Sequence, residues 1–265
     1  MKKRKDFKLV LQSVLTGILF FLPLSGIADD ENGKGTLPVG AERSEKKPEA
    51  QTKRDIRTIG MPVYKPPLRG APGGRVGGGT RAPGGASLFL SALVPDHTGL
   101  TVQEQPSLYW YLSGLTTDPI EFTLIEDQAI KPILETRITP PSQPGIRRVR
   151  LGDYGVRLKP GIEYKWFVAV VVDPENRSKD LLAGGVIERV EPPGEIRARL
   201  AQAGKELAPN IYAEAGIWYE TMSAVSDMID ASPNESALHT QRASLLQQVG
   251  LPEVADYDKR YVRAD

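Results

Sequence analysis

The stretch LKPGIEYKWFVAVVVDPENRSKD, residues 158–180, indicates the fold of this chain. Tyr164, Trp166 and Val168 share one face of an extended segment, and Phe167 lies with its alternate neighbours on the other. Both faces are therefore apolar, which is typical of a central strand in a packed sheet. We predict one long, buried β-strand here, entered through a Pro-Gly corner and followed by a polar loop.

The start of this strand carries a second signal. The spacing Leu-x-Pro-Gly-x-x-Tyr, ending at Tyr164, resembles the tyrosine corner of immunoglobulin-like and fibronectin-like sandwiches. In that corner, a Tyr at the start of a core strand bonds to the backbone just upstream. We therefore expect Tyr164 to be buried, with its hydroxyl bonded to the backbone near residues 159–161.

Short apolar or alternating segments surround this strand and are separated by clusters of Pro, Gly, Asp and Ser. The predicted strands are 88–94, 108–112, 120–124, 133–138, 146–151, 163–172 and 185–190. Seven short strands without helical periodicity between them predict an antiparallel immunoglobulin/fibronectin-like β-sandwich. A barrel is the main alternative.

The sequence EPPG at 191–194 ends the β pattern, and the apolar period then becomes helical. Predicted helices follow at 195–204, 211–214, 216–231 and 235–249. This part resembles a small tetratricopeptide-like α-helical module. Such repeats need about three units to be stable, and the chain holds fewer, so we expect the helices to dock on the sandwich. Trp218 is expected in that interface, and the fold class is β-rich α+β.

The N-terminus has the pattern of a secretory signal peptide. Five basic residues are followed by the uncharged, mainly apolar run 9–24 and by small residues up to Ala28. A run of this length is short of the ~20 residues that span a bilayer, so we predict cleavage after Ala28 and no stable membrane anchor afterwards. The predicted location is periplasmic, cell-envelope or secreted, and an uncleaved anchor is the alternative.

Charge and cysteine content limit the chemistry. Residues 1–28 hold five basic and one acidic residue, so the remaining chain has 29 basic and 32 acidic residues. This mildly acidic balance argues against nucleic acid as a partner. The sequence has no cysteine, which removes disulfides, thiol catalysis and thiolate metal sites.

Two segments precede the sandwich. Residues 29–68 are polar and poor in large apolar side chains, which predicts a disordered linker. Residues 69–85 are rich in glycine and carry Arg69, Arg75 and Arg81 at even spacing, so an extended chain places all three on one face. The alternatives are a flexible linker and a partly ordered segment packed on the sandwich. We favour the second, with Arg75 and Arg81 paired to the loop after the central strand or to an acidic partner.

The loop at residues 173–180 carries carboxylates around one guanidinium. We expect Asp173 and Asp180 to flank Arg177 and hold the loop through charge-assisted hydrogen bonds. Calcium is the weaker alternative, because the EF-hand spacing and its glycine are missing. No cofactor or metal site is predicted.

Catalytic signals are weak. The only histidines, His97 and His239, stand alone, and no Gly-x-Ser-x-Gly elbow or paired-His spacing is present. A hydrolase using His97 is the weakest of three functional alternatives. Tyr109, Tyr111 and Trp218 belong to a set of aromatics that favours core packing over a glycan-binding platform.

Several motifs in combination resemble a known family. They are the run GAPGGRVGGGTR at 70–81, Leu93-Val94-Pro95, DPENRS at 173–178 and YAEAGIWY at 212–219. In these motifs the sequence resembles the bacterial, largely cyanobacterial, domain of unknown function 928 family over about residues 66–252. The resemblance implies export and this architecture, and it implies no activity.

The sequence thus predicts an exported, non-enzymatic protein–protein interaction module whose partner is an unknown protein or envelope polymer. A carbohydrate- or envelope-polymer-binding module is the alternative. The predicted segments are the signal peptide 1–28, linker 29–68, Gly/Arg-rich segment 69–85, β-sandwich 86–191, helical module 192–252 and polar tail 253–265.

Overall fold

The structure, a computed structural model, describes residues 58–67, 74–77 and 88–262. All of these belong to one unit that spans residues 50–265. The predicted signal peptide and most of the predicted linker lie outside the described residues, as do Arg69 and Arg81.

Eight strands form two sheets in the described part of the chain. The strands are β1 (Leu90–Ala92), β2 (Gly99–Thr101), β3 (Ser107–Leu112), β4 (Ile120–Glu126), β5 (Leu134–Ile138), β6 (Gly145–Arg150), β7 (Glu163–Val170) and β8 (Leu181–Arg189). One sheet has the order β1-β3-β6 and the other the order β2-β8-β7-β4-β5. All pairs are antiparallel except β2 and β8.

Strand β7 is the centre of the larger sheet, as its sequence predicts. It pairs with β4 on one side and β8 on the other. Trp166, Val168 and Val170 are fully buried on one face, and Ala169 is buried on the other. The prediction of a central strand with two neighbours is therefore confirmed, but the second face is only partly covered, because Phe167 is half-buried and Lys165 is exposed.

The expected bond at the start of β7 is confirmed. The backbone N–H of Lys159 donates to the hydroxyl of Tyr164 at 3.1 Å. The Tyr164 side chain is only 1% exposed. The hydroxyl thus satisfies a backbone donor in the turn that leads into the central strand.

Replacing Tyr164 with Phe is expected to lower the free energy of unfolding by about 1–2 kcal/mol, because the Lys159 N–H loses its acceptor and the Tyr164 site is buried. Urea denaturation of the two proteins measures the difference. The Tyr154→Phe variant is the matched control, since Tyr154 is 40% exposed. Equal midpoints for both variants would contradict a stabilising role of the bond.

Five helices follow the strands among the described residues. They are α1 (Gly194–Gln202), α2 (Ala208–Glu214), α3 (Trp218–Ala231), α4 (Ser236–Gln248) and α5 (Pro252–Val262). Helices α2, α3 and α4 match the predicted ones closely. None of the helices among the described residues has the length and apolar character needed to cross a membrane.

The helices and the sheets share one hydrophobic core. A single cluster of buried residues includes Trp110 and Trp166 from the strands and Trp218, Leu246 and Val254 from the helices. The expectation that the helices dock on the β structure is therefore confirmed. The architecture is a β-rich α+β fold with two sheets and five helices.

Three further predictions about the fold are wrong. The larger sheet is not wholly antiparallel, because β2, a three-residue strand missed in the sequence, pairs parallel to β8. Residues 253–262, predicted as part of a polar tail, belong to α5, which buries Val254 and Asp258. Residues 58–67, predicted as disordered linker, lie on the helices, where Tyr64 is 7% exposed.

The contact of residues 58–67 with the helices is specific. The backbone N–H of Tyr64 donates to Gln248 Oε1 at 2.8 Å, and Gln248 Nε2 donates to the Pro62 carbonyl at 3.0 Å. The N–H of Lys65 donates to the Ala213 carbonyl at 3.0 Å. One aromatic side chain and paired backbone groups thus order a segment whose average composition is polar.

Candidate functional site

A polar cavity lies between the connection from β2 to β3 and the helices α2 and α3. Its volume is about 290 Å³. Glu220 lines it together with Gln103, Gln105, Ser107, Tyr212, Ser223 and Asp227. Small-ligand sites are concave and use a few convergent polar groups to orient the ligand.

Glu220 is the most unusual group in this cavity. It lies in the first turn of α3 and is 6% exposed. Its Oε1 accepts hydrogen bonds from the Thr101 hydroxyl at 2.6 Å and from the Gln103 N–H at 3.2 Å. Its Oε2 is buried and has no hydrogen-bond partner among the described residues. Burial raises the pKa of Glu220 to about 7, although these hydrogen bonds oppose the rise.

Asp227, on the rim of the cavity, has a cation of its own. Arg148 on β6 donates to Asp227, to Asp230 Oδ2 at 2.6 Å and to the Tyr109 hydroxyl at 3.0 Å. The guanidinium carbon also lies 5.6 Å from the centroid of the Tyr109 ring. Arg148 therefore pairs with both aspartates of α3, and Glu220 has no basic partner among the described residues.

Two aromatic side chains fix the start of α3, and with it the position of Glu220. Trp218 Nε1 donates to the Leu93 carbonyl at 2.8 Å. Trp166 Nε1 donates to the Tyr219 hydroxyl at 2.9 Å, and that hydroxyl donates to the Val186 carbonyl at 3.2 Å. The prediction that Trp218 packs in the interface is confirmed, since its side chain is fully buried.

The described part of the Gly/Arg-rich segment, residues 74–77, packs on β8. Val76 and Gly184 exchange two backbone hydrogen bonds of 3.0 and 2.9 Å. Gly77 has a φ of +84°, and a Cβ there would lie 1.9 Å from the Leu182 carbonyl oxygen. Close backbone approach through glycine is thus confirmed for these residues.

Arg75 does not pair with the loop at residues 173–180, so that prediction is wrong. Its guanidinium donates to the carbonyls of Val94 at 3.2 Å, Val249 at 2.9 Å and Gly250 at 3.3 Å. Val249 and Gly250 directly follow α4, whose last carbonyls are electronegative and attract a cation. The pairing proposed for Arg69 and Arg81 lies outside the described residues.

The loop at residues 173–180 is held by ion pairs, with partners that differ in part from those predicted. Arg177 Nε donates to Asp180 Oδ2 at 2.6 Å, and Arg177 Nη2 donates to Glu121 Oε2 at 2.8 Å. Asp173 accepts from Lys179 Nζ at 2.8 Å instead of from Arg177. In the described part of the chain, no group of three or more His, Cys, Asp or Glu side chains has the geometry to hold a metal ion.

The two histidines lie apart. His97 Nε2 is 3.5 Å from the Tyr64 hydroxyl, and His97 Nδ1 is 3.0 Å from the Thr98 carbonyl oxygen. His239 is buried against Asp258, with Nδ1 3.2 Å from Oδ1. Both therefore have contacts that serve packing, and neither lines the polar cavity.

The aromatic residues weighed as a glycan platform are buried, so they offer no outward platform. Tyr109 and Tyr111 are 3% and 5% exposed, and Tyr219 is 2% exposed. Tyr111 packs on Tyr257 of α5, with ring centroids 5.2 Å apart. The outward face of β3 is thus covered by the helices.

Glu220 was not predicted as a site residue from the sequence. It stands in the apolar run Ile217-Trp-Tyr-Glu-Thr-Met222, where a carboxylate at a buried helix position is the only available signal. A period of 3.6 residues places Glu220 near the buried face of α3, which could have drawn attention to it.

The fold and the site together define a β-rich α+β domain with a polar cavity at the junction of its β and helical parts. The chain belongs to the family described as Domain of Unknown Function (DUF928), whose sequence profile matches residues 76–258. No curated protein matches the sequence. A solved structure of a multi-domain immunophilin from Arabidopsis thaliana aligns with 66% of this chain and 93% of that chain. It has 10% identity and a TM-score of 0.17, which carry no argument about the fold.

Proposed function

We propose that the chain is an exported, non-enzymatic protein–protein interaction module of the periplasm or cell envelope, and that β5 is its contact strand. The observation that carries this proposal is the open edge of the larger sheet. Strand β5 is the last strand on its side and pairs only with β4 among the described strands. An open edge presents unpaired backbone donors and acceptors to another strand.

The loop before β5 adds apolar surface to this edge. Ile130 is 97% exposed and Ile133 is 44% exposed. Covering these large apolar side chains with a partner is favourable, because it removes apolar surface from water. Clusters of such side chains mark contact surfaces. The edge and the loop therefore form one continuous candidate surface, which we call the β5 edge and define as residues 130–138.

The partner strand that fits best is β5 of a second copy. Its sequence is Leu134-Glu-Thr-Arg-Ile138, with Glu135 and Arg137 exposed. Antiparallel pairing about Thr136 places Glu135 of each copy opposite Arg137 of the other. A two-fold interface of this kind is self-complementary, and opposite charges directly across strands contribute about 0.2–1 kcal/mol each.

A second proposal concerns the fold classes of the two sheets and of the helices. We infer that the two sheets form an immunoglobulin/fibronectin-like sandwich and that the helices form a tetratricopeptide-like module. The bond from Lys159 to the Tyr164 hydroxyl and the shared hydrophobic core support the sandwich. The packing of α2 on α3 and of α4 on α5 supports the helical module.

Sedimentation velocity of the chain without residues 1–28 tests the proposed function. We expect a concentration-dependent dimer, and Glu135→Arg or Arg137→Glu alone is expected to weaken it at least about tenfold, because each places like charges opposite. An equimolar mixture of the two variants is expected to restore the dimer, since each copy then offers the charge that the other lacks.

The Glu175→Arg variant is the matched control, because Glu175 is exposed on a different loop. It is expected to leave the dimer unchanged. A wild-type chain that stays monomeric at about 100 µM would contradict the proposal. So would a mixture of the two charge variants that associates no better than either variant alone.

A further inference from the structure

Glu220, which lines the polar cavity, has a buried carboxylate oxygen without a hydrogen-bond partner among the described residues. Glu220 is 6% exposed, and its Oε1 accepts hydrogen bonds from Thr101 and Gln103. The backbone N–H groups of Val102 and of Glu220 itself also favour the ionised carboxylate and lower its pKa. Glu220 Oε2 accepts no hydrogen bond from any described residue. A buried carboxylate that is not fully hydrogen-bonded lowers the stability of the fold. A donor from outside the chain that reaches Glu220 through the cavity would therefore form a strong hydrogen bond with it.

The lining of the cavity determines which donor fits. No Lys or Arg side chain lines it among the described residues. Gln103, Gln105, Ser107 and Ser223 supply amide and hydroxyl oxygens that accept hydrogen bonds. Asp227 is already paired with Arg148. The cavity therefore offers several hydrogen-bond acceptors and the Glu220 carboxylate, which has no basic partner among the described residues.

We propose that this cavity binds the ammonium or guanidinium group of an organic cation, with the Glu220 carboxylate as its counter-charge. The cavity volume of about 290 Å³ is several times the ~30 Å³ that one water occupies, which is room for a small alkyl cation or the end of one Lys or Arg side chain. A guanidinium has five donors, which suits a lining made of acceptors. This site is separate from the β5 edge, so its existence does not depend on the proposed function.

Binding of the cation is coupled to a proton. Burial raises the pKa of Glu220 to about 7, so the carboxyl is partly protonated at neutral pH. The groups that face it are the Thr101 hydroxyl from β2, Tyr212 from α2, and Asp227 from its own helix, which Arg148 of β6 holds. The stretch from Gln103 to Ser107 presents amide and hydroxyl groups to the cavity. A cation favours the ionised carboxylate and releases the proton.

Isothermal titration of the chain without residues 1–28 tests the proposal, with n-butylguanidinium chloride as the probe and the neutral n-butylurea as its isostere. We expect the cation to bind at pH 8.5 and the urea to bind at least about tenfold more weakly, because it lacks the charge. At pH 5.5 the cation is expected to bind roughly 30-fold more weakly, because most of Glu220 is then protonated. At pH 7, titrations in buffers of different ionisation enthalpy should show proton release.

Variants locate the site. Glu220→Gln keeps an oxygen for Thr101 and Gln103 but removes the charge, and it is expected to abolish binding and its pH dependence. Asp230→Asn is the matched control, since it removes a carboxylate of the same helix that does not line the cavity. Ala224→Leu fills the cavity while Glu220 is retained, and it is expected to abolish binding as well. It keeps the test valid if Glu220→Gln does not fold.

The source of the cation is distinguished by a second probe, a pentapeptide with a single central Arg and blocked ends. Tighter binding of the peptide than of n-butylguanidinium would assign the site to a protein side chain, and weaker binding would assign it to a free small cation. The proposal is overturned if n-butylguanidinium does not bind at millimolar concentration, if n-butylurea binds equally well, or if Glu220→Gln and Ala224→Leu leave binding unchanged.

Discussion

Replacing Asp258 with Ala is expected to lower the free energy of unfolding by about 3–5 kcal/mol, the largest loss that we expect from one substitution in this chain. Asp258 lies on α5 and is fully buried. It accepts hydrogen bonds from Arg242 Nε at 2.7 Å and Nη2 at 2.6 Å. Burial by itself raises the pKa of Asp258, but the bonds from Arg242 and His239 outweigh it, and the pKa is lowered. The carboxylate is therefore ionised, and its removal leaves the Arg242 guanidinium buried without a counter-charge.

Urea denaturation at pH 7 measures this loss, and two further variants interpret it. Asp256 lies on the same helix, but its side chain is largely exposed. Asp256→Ala is therefore expected to lower the free energy of unfolding by less than about 1 kcal/mol. The double variant Arg242→Met and Asp258→Leu removes both charges and is expected to recover much of the stability, because apolar side chains can replace a buried pair at little cost. Equal losses for Asp256→Ala and Asp258→Ala would contradict the account.

The β part of the fold could be predicted because its signals are local. The alternation of Trp166, Val168 and Val170 follows directly from the two faces of a strand, and the Tyr164 corner fixes where that strand begins. Strand β2 could not be found in this way. It has three residues, Gly99–Thr101, and it exists because β8 offers its edge.

The C-terminal helix carried a signal that the polar composition hid. Pro252 is the first residue of α5, a position that favours proline, and Val254 and Ala255 form a short buried stripe. Asp258 is the fourth residue after Val254 and lies on the same face of the helix. From sequence alone, a carboxylate is assigned to the solvent unless a buried partner can be identified. The partner of Asp258 is Arg242, which lies on another helix, so the sequence of α5 does not reveal it.

The candidate site could not be predicted for a similar reason. The even spacing of Arg75 with Arg69 and Arg81 indicated an acidic partner, but Arg75 instead meets carbonyls at the end of α4, a position set by tertiary structure alone. The polar cavity joins the β2–β3 connection to helices more than a hundred residues later. Glu220 gains its chemistry from that junction, since Thr101 and Gln103 supply its hydrogen bonds.

The Glu220→Gln variant is expected to change how stability depends on pH. The pKa of Glu220 is about 7 in the folded protein against an ordinary value of 4.5. The folded state therefore binds the proton more tightly, so the free energy of unfolding falls as the pH rises from about 4.5 to about 7 and is level above that range. This difference in pKa between the folded and unfolded states corresponds to about 3 kcal/mol in the free energy of unfolding. Glu220→Gln has no titrating carboxyl at this position. Its free energy of unfolding, relative to that of the wild type, should therefore rise by about this amount between pH 4.5 and pH 8.

Urea denaturation of both proteins at pH 4.5, 6, 7 and 8 measures that gain, and Glu253→Gln is the control because Glu253 is exposed on α5. A difference between wild type and Glu220→Gln that is the same at every pH would contradict a raised pKa at this carboxyl. The expected result has a consequence for the cavity. At neutral pH the Glu220 carboxylate weakens the fold and a glutamine would not, so the charge is costly unless it is used. An organic cation in the cavity would offset that cost by favouring the ionised form.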